Sequence, residues 1–497
     1  MKKCVSLLLA LCFVLSCSFS VCAADTAATV CGCGKTPIVV VSGMGALPFL
    51  ANKGTENEYQ AFPPKVNIAP LVLRGLGAVV VSVCTWDIRY FADAAADIAL
   101  EILGVLALDE NAKSIADITP VRYDKAMSEY DPALYTEAAG AEFSIINAAV
   151  QTVGADHAYF YNYDWRLDPM ANADDLDAFI SRVTHETGHE KVRIAAISMG
   201  GVQTMAYMQK YGTDAIDTVW FLSAAWNGLL FVTNVFTGEL VISQKSFFCW
   251  LQTLEVGSEK TDAVFDRLMG WCAETPLLRP LFRLINKLNQ QLNDTAVYGV
   301  MQKTLGTTAG MWAFVRDDRY EEAKQVMLPQ GRDAFEKIID NYHYNVLNRR
   351  AEILAEAQKN GVQFAVLSHY NNGCVPVTSS ALAHGDNLIE TVCTSGGAVV
   401  ADYGSTLPSG YTQKAHPEHN HLSADGVIDA SACLLPDNTW FIKNMPHVGC
   451  NKGSAYFDML VWLFSSDDVP TVFDNAQYPQ FLQTDAKTQM TLSPVAP

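Results

Sequence analysis

Short apolar runs rich in β-branched and aromatic residues recur along the chain, and several are followed by stretches with apolar residues at helical spacing. Pro37–Val41 (PIVVV), His157–Tyr163 (HAYFYNY), Lys191–Ile197 (KVRIAAI), Thr218–Leu222 (TVWFL) and Val362–Ser368 (VQFAVLS) read as strands. Asp174–His185 and Met199–Tyr211 read as helices. Strands alternating with helices predict an α/β fold, a mostly parallel sheet flanked by helices. Near the C-terminus, Trp440–Ile442 reads as one more short strand and Ser454–Phe464 as a closing helix.

The alternation is broken twice. Between Leu222 and Val362 no series of strands is evident, and Thr261–Trp271 and Pro280–Leu292 read as helices instead. An insertion there lies over the carboxyl ends of the strands, where α/β proteins build their sites. Residues 227–361 are therefore expected to form a mainly helical cap. A second insertion, about 46–140, includes Ala94–Leu106 with apolar residues at helical spacing. The core then has two parts, 25–226 and 362–497.

Lys2 and Lys3 precede an apolar run from Val5 to Leu15, and Val21-Cys22-Ala23-Ala24 closes a small-residue stretch. This pattern reads residues 1–24 as a secretory signal peptide and predicts export. Cys17 offers a weaker alternative, lipoprotein anchoring. No later segment has the uninterrupted apolar length to span a membrane. The formal charge of -19 and the lack of a basic cluster argue against nucleic-acid binding. They also argue against electrostatic docking on anionic lipid, but leave transient apolar contact with a lipid interface open. Of 13 cysteines, four fall in the leader. The odd remainder implies at least one unpaired thiol or an intermolecular bond, with pairing unassigned. Cys31-Gly-Cys33-Gly lacks a partner pair at zinc-ligand spacing, and its segment is expected to be flexible.

Thr184–Gly201 (THETGHEKVRIAAISMGG) contains two catalytic signatures. HETGH at 185–189 fits H-E-x-x-H, in which two histidines on one helix face bind zinc and the glutamate acts as base. Gly188 suits a helix end, and a strand begins almost at once, so the helix is expected to stop at the motif. AISMG at 196–200 fits the nucleophile elbow of serine hydrolases, with alanine for the first glycine. Here the context agrees: a strand enters, Ser198 sits on the turn, and a helix leaves. The helix N-terminus favours developing negative charge.

A serine nucleophile needs a base and an orienting acid, in chain order Ser, Asp, His for this fold. His447 stands on the loop after the Trp440 strand and is the expected base. Asp425, in the turn-forming Asp425-Gly426 pair, is the expected acid. The rival is Asp386, paired with His416, His419 or His421. The end of the Val362 strand offers only Asn371 and Asn372, which balance an imidazolium less well than aspartate.

At these residues the chain resembles the lecithin:cholesterol acyltransferase-like branch of the α/β-hydrolases. Tyr163-Asp164-Trp165-Arg166 is similar to that branch's Y-D-W-R, and Ser198-Met199-Gly200-Gly201 to its nucleophile turn, with Ile197 where histidine is usual. Ser223–Gly228 resembles its G-A-P-W-G-G, and Thr307–Trp312 a segment of its cap. Asp425-Gly426-Val427 with Ser431-Ala432 is similar to the acid motif of the branch and of bacterial lipases. Ser42 replaces the usual proline before Gly43. The resemblance implies oxyanion donors at the backbone N–H groups of Met44 and Met199, and a lipid or other acyl-ester substrate. Trp165 is expected to fill space, with Asp164 and Arg166 paired.

The expected function is an exported serine esterase or lipase acting through Ser198, His447 and Asp425, with no cofactor, no catalytic metal and no protein partner. Alternatives are an O-acyltransferase on the same scaffold, an inactive binding protein, and a zinc peptidase using HETGH.

Overall fold

A computed structural model describes residues 31–497 apart from 65–67, 88, 137–140, 252–258, 290–295, 332, 377, 380–382, 448, 451–452 and 486–489. The expectations placed on residues 1–24, Cys17 included, lie outside the described residues.

The central sheet has eight strands: β1 Ile38–Val41, β2 Ala158–Tyr161, β3 Val192–Ile197, β4 Ile216–Leu222, β5 Gln363–Tyr370, β6 Thr439–Lys443, β7 Phe481–Thr484 and β8 Leu492–Pro494. Their spatial order is β2-β1-β3-β4-β5-β6-β7-β8. All neighbours run parallel except β8, which closes one edge antiparallel to β7. The inner strands are buried along almost their whole length, which is why they read as continuous apolar runs and not as alternating ones.

Helices cover both faces. The relevant ones are α1 Ala141–Val153, α2 Pro169–Thr187, α3 Gly200–Tyr211 and α4 Ala455–Ser465. The two-residue period of a strand divides the core. Val39 and Val41 of β1 face the layer containing Leu176 of α2 and Met205 of α3. Ile38 and Val40 face the layer containing Ile145 of α1 and Leu460 of α4. This is the α/β core expected from the sequence, a mostly parallel sheet with helices on both faces.

Local chemistry sets the element ends. Asp168 caps α2 by accepting from Met170 N–H at 2.9 Å, with Pro169 in the first turn. Gly188 ends the helix in the left-handed conformation, φ 68°. The second strand is shorter than its apolar run. After Tyr161 the chain turns away to brace the loop after β1: Ser42 Oγ donates to Asn162 Oδ1 at 2.8 Å, and Tyr163 OH to the Ser42 carbonyl at 3.1 Å.

Between Leu222 and Gln363 every regular element among the described residues is helical. The first insertion is more complex than its helical pattern implied. It holds helices Ile68–Thr85 and Arg89–Leu103, and also a small antiparallel sheet of Phe49–Ala51, Tyr59–Phe62 and Ile118–Pro120. The two insertions meet, with helix Ala296–Lys303 packed on helix Arg89–Leu103. Gly310 anchors the later one to the core: its N–H donates to the Arg166 carbonyl at 3.1 Å. A Cβ there would stand 1.9 Å from the Trp165 carbonyl oxygen, so no larger residue fits.

Candidate active site

Ser198 sits between β3 and α3 with φ 50°, a left-handed conformation disfavoured for a residue with a Cβ. Its neighbours make the turn possible. A Cβ on Gly200 would lie 2.3 Å from the Val41 carbonyl oxygen, and one on Gly201 would lie 2.9 Å from Ala224 Cβ. Ala196 is fully buried, so the methyl that replaces the usual glycine is accommodated within the packed strand. Ser198 itself is 8% exposed, a covered hydroxyl.

His447, on the loop after β6, reaches Ser198: its Nε2 lies 3.1 Å from Ser198 Oγ. Its Nδ1 lies 2.8 Å from a carboxylate oxygen, but that oxygen belongs to Asp386. Asp386 is fully buried on the loop that follows β5, the strand next to β6. Its other oxygen accepts from the N–H groups of Leu388 at 3.0 Å and Ile389 at 2.7 Å. Burial alone would raise its pKa, but the His447 imidazole and the Ile389 N–H outweigh burial and hold it below the usual carboxylate range.

The expected acid, Asp425, is therefore corrected. Its carboxylate accepts from Lys443 Nζ at 2.8 Å and Tyr370 OH at 3.0 Å, and these partners lower its pKa against burial. The turn it forms is real, with Gly426 at φ 69°, but the turn is structural. The rival pairing is corrected too. Asp386 takes His447, whereas His416 lies beside Glu418 and His421 beside Gln480 and Asp437.

Two further groups escaped the sequence reading. His369, at the end of β5, is buried; its Nδ1 lies 2.9 Å from Ser223 Oγ and 3.1 Å from the carbonyl of Pro446, the residue before His447. Its Nε2 lies 3.2 Å from Tyr456 OH. Burial pushes its pKa down to about 4, so it stays neutral and fixes the His447 loop. Glu142, in the first turn of α1, accepts from the Gly43 N–H with both oxygens at 3.3 Å. Burial pushes its carboxyl up to about 7, against the opposing effects of the Gly43 N–H and of His447. No local motif marks either residue; both are found only once β1, β5 and β6 are laid side by side.

The backbone at Gly43 passes close to Ser198, since a Cβ at Gly43 would lie 2.9 Å from Ser198 Cβ. Met44 follows in the same loop, and Met199 follows Ser198. Among the described residues neither backbone N–H donates a hydrogen bond. Asp164 and Arg166 do pair, at 2.7 Å and buried, and Arg166 also donates to the Leu106 carbonyl and Ser114 Oγ. Trp165 packs on Phe49 and Phe62. This segment ties the first insertion to the core and does not touch the reacting atoms.

In HETGH the helix stops at Thr187, leaving His189 beyond the left-handed Gly188, while His185 and Glu186 are exposed. The two histidines do not share a helix face. At the same end of the sheet, Cys33 Sγ lies 3.5 Å from His189 Nε2 and 3.6 Å from His157 Nε2.

No family model matches the chain, and no curated protein matches it. Among solved structures, a chain of the crystal structure of the Tle4-Tli4 complex is similar at 12% identity and a TM-score of 0.30, over 67% of this chain and 75% of that one. A likeness of that extent carries no functional argument.

Proposed function

We propose that the protein is a serine hydrolase that cleaves acyl esters, with lipids as the substrate class, through Ser198, His447 and Asp386. One observation carries the reading: a continuous chain from Ser198 Oγ through His447 to the buried Asp386 carboxylate, with links of 3.1 and 2.8 Å. Ser198 Oγ attacks the ester carbonyl while His447 Nε2 takes its proton. Asp386 holds the proton on Nδ1 and balances the imidazolium charge. The tetrahedral oxyanion is held by the N–H groups of Met44 and Met199. His447 then protonates the departing alkoxide, and water attacks the acyl-serine by the reverse route. Glu142 beside Gly43 favours this path when protonated, because an ionised carboxylate there opposes an oxyanion.

The lipid preference has separate support. Most exposed large apolar side chains among the described residues lie in the two insertions, including Trp86, Trp271 and Leu277 at 82%, 57% and 76% exposure. Both insertions leave from carboxyl ends of strands, as the catalytic loops do. The N-terminal sequence supports action outside the cytoplasm, and the Y-D-W-R and S-M-G-G motifs support kinship with the acyltransferase-like branch. Ser198→Ala tests the reading with a fluorophosphonate probe and an ester panel. Labelling and turnover should vanish while the circular dichroism spectrum is kept, a loss of several orders of magnitude. Substantial turnover by a folded variant would remove the serine from the mechanism.

A further inference from the structure

Three adjacent strands each carry a soft or borderline metal ligand just before they begin. Cys31 and Cys33 precede β1, His157 directly precedes β2, and His189 lies three residues before β3. In the sheet β2 and β3 flank β1, so the two histidines stand on either side of the cysteines. The two outer strands are about 10 Å apart, a gap that two inward-pointing imidazoles close. The Sγ atoms of Cys31 and Cys33 and one ring nitrogen from each of His157 and His189 all lie within 4.8 Å of one another.

The spacing fits a tetrahedral ion. With metal–sulfur and metal–nitrogen bonds of about 2.3 and 2.05 Å, tetrahedral geometry puts sulfur and nitrogen about 3.6 Å apart. The Cys33 sulfur lies 3.6 Å from His157 Nε2 and 3.5 Å from His189 Nε2. The outer atoms are arranged to support this. His189 Nδ1 lies 3.1 Å from the Thr187 carbonyl, which accepts its proton and leaves Nε2 as a free lone pair. His157 Nδ1 lies 3.3 Å from the Asp156 carboxylate, and Lys35 N–H donates to the Cys33 sulfur at 3.4 Å. A carbonyl partner of this kind fixes the tautomer and the aim of a metal-bound imidazole, as at His189, whereas the approach of Asp156 to His157 Nδ1 lacks hydrogen-bond geometry.

We infer that Cys31, Cys33, His157 and His189 form a four-coordinate structural zinc site that fastens the N-terminal segment across the leading ends of β1, β2 and β3. Two sulfurs and two nitrogens in a tetrahedron select zinc over magnesium, calcium or manganese. Four protein ligands close the coordination sphere, so the ion activates no water. β3 separates it from Ser198 by roughly 20 Å, a six-residue strand at about 3.3 Å per residue. The site takes only the last histidine of HETGH; His185 and Glu186 have no part in it.

The test uses the mature chain purified from an exported fraction without chelator. Elemental analysis should find one zinc per chain bound through these residues. That zinc should be lost in Cys33→Ser and in His157→Ala and kept in His185→Ala and Glu186→Ala. Replacement by Co2+ should give the intense visible absorption of a tetrahedral ion with a thiolate charge-transfer band, a readout that does not depend on any variant folding. Removing the metal should lower Tm by at least about 5 °C while kcat at 25 °C stays within about twofold, because binding to the native state alone stabilises it. Zinc that survives Cys33→Ser and His157→Ala, a metal-free Cys31–Cys33 disulfide, or a Co2+ spectrum lacking the thiolate band would each overturn the site.

Discussion

Asp386→Asn is the sharpest test of the catalytic assignment, because the surroundings of Asp386 dictate how an amide would sit. Oδ1 accepts from two backbone N–H groups, at 3.0 and 2.7 Å, so the amide oxygen of asparagine must take that place. Its NH2 group is then forced into the Oδ2 position, 2.8 Å from His447 Nδ1. Nδ1 must accept, the ring proton moves to Nε2, and Nε2 can no longer take the proton of Ser198. The side chains are isosteric and the site is fully buried, so the fold should be retained. A wrong tautomer in such a triad costs about ten-thousandfold in rate, or roughly 5.5 kcal/mol in the barrier. The control is Asp425→Asn, which breaks only the contacts to Lys443 and Tyr370 and should change the rate no more than a few-fold. The assay is kcat/KM on a soluble chromogenic ester, with circular dichroism for folding. More than about one per cent residual activity in Asp386→Asn would refute the tautomer argument, since the expected loss is about a hundred times larger. Equal losses in both variants would refute the choice of acid.

Glu142→Gln gives a signed pH prediction. The folded pKa of about 7 exceeds the ordinary 4.5, so the folded state keeps a proton that the unfolded chain releases. The wild type therefore loses stability from this group as pH rises between those values, and the Tm of the glutamine variant should gain on it across that window and level off above. A pH-independent difference would place the carboxylate in solvent. Gly310→Ala should lower Tm and turnover together, since its methyl would stand 1.9 Å from the Trp165 carbonyl oxygen, and overpacking of this kind typically costs about 1–3 kcal/mol. An unchanged melting curve would show that the cap does not rest on that carbonyl. Trp271→Ser with Leu277→Ser should reduce activity on aggregated ester several-fold and spare the same ester as monomer. Equal losses on both forms would remove the lipid-interface role.

What the chain revealed divides along a physical line. Features set by neighbouring residues were legible: the parallel strands, the Gly188 stop, the Ser198 turn between β3 and α3, and His447 on the loop after a short strand. Features set by which strands lie side by side were not. Asp386 stands 16 residues past the end of β5, and its carboxylate meets His447 only because β5 and β6 are neighbours. A usable signal is present, since Asp386, the rival acid, is the first carboxylate after that strand, but nothing local pairs it with His447 in preference to His416, His419 or His421. Asp425 misled because an Asp-Gly turn is a local signal, equally suited to a structural turn held by Lys443. The small sheet in the first insertion was missed for the same reason: Phe49 pairs with Pro120, far along the chain.

In the stretch that holds both HETGH and AISMG, one strand keeps the two proposed sites apart. The first motif ends before β3 begins and the second starts where β3 finishes, so His189 and Ser198 lie at opposite ends of the same six residues. The same division holds for the neighbours: β1 runs from the cysteines to Gly43, and β2 from His157 to the Tyr163 segment. Backbone ladders between the three strands run through the paired residues themselves, Ile38 with Ala158 and Arg193, Val41 with Tyr161 and Ala196. The carboxyl ends therefore keep their register without help from the leading ends. A metal at the leading ends should accordingly govern how firmly the N-terminal segment is held and at what temperature the sheet comes apart, while the distance from Ser198 to His447 is set by β3, β6 and His369. That separation is why chelation and Ser198→Ala are expected to act on different quantities, Tm in the first case and turnover in the second.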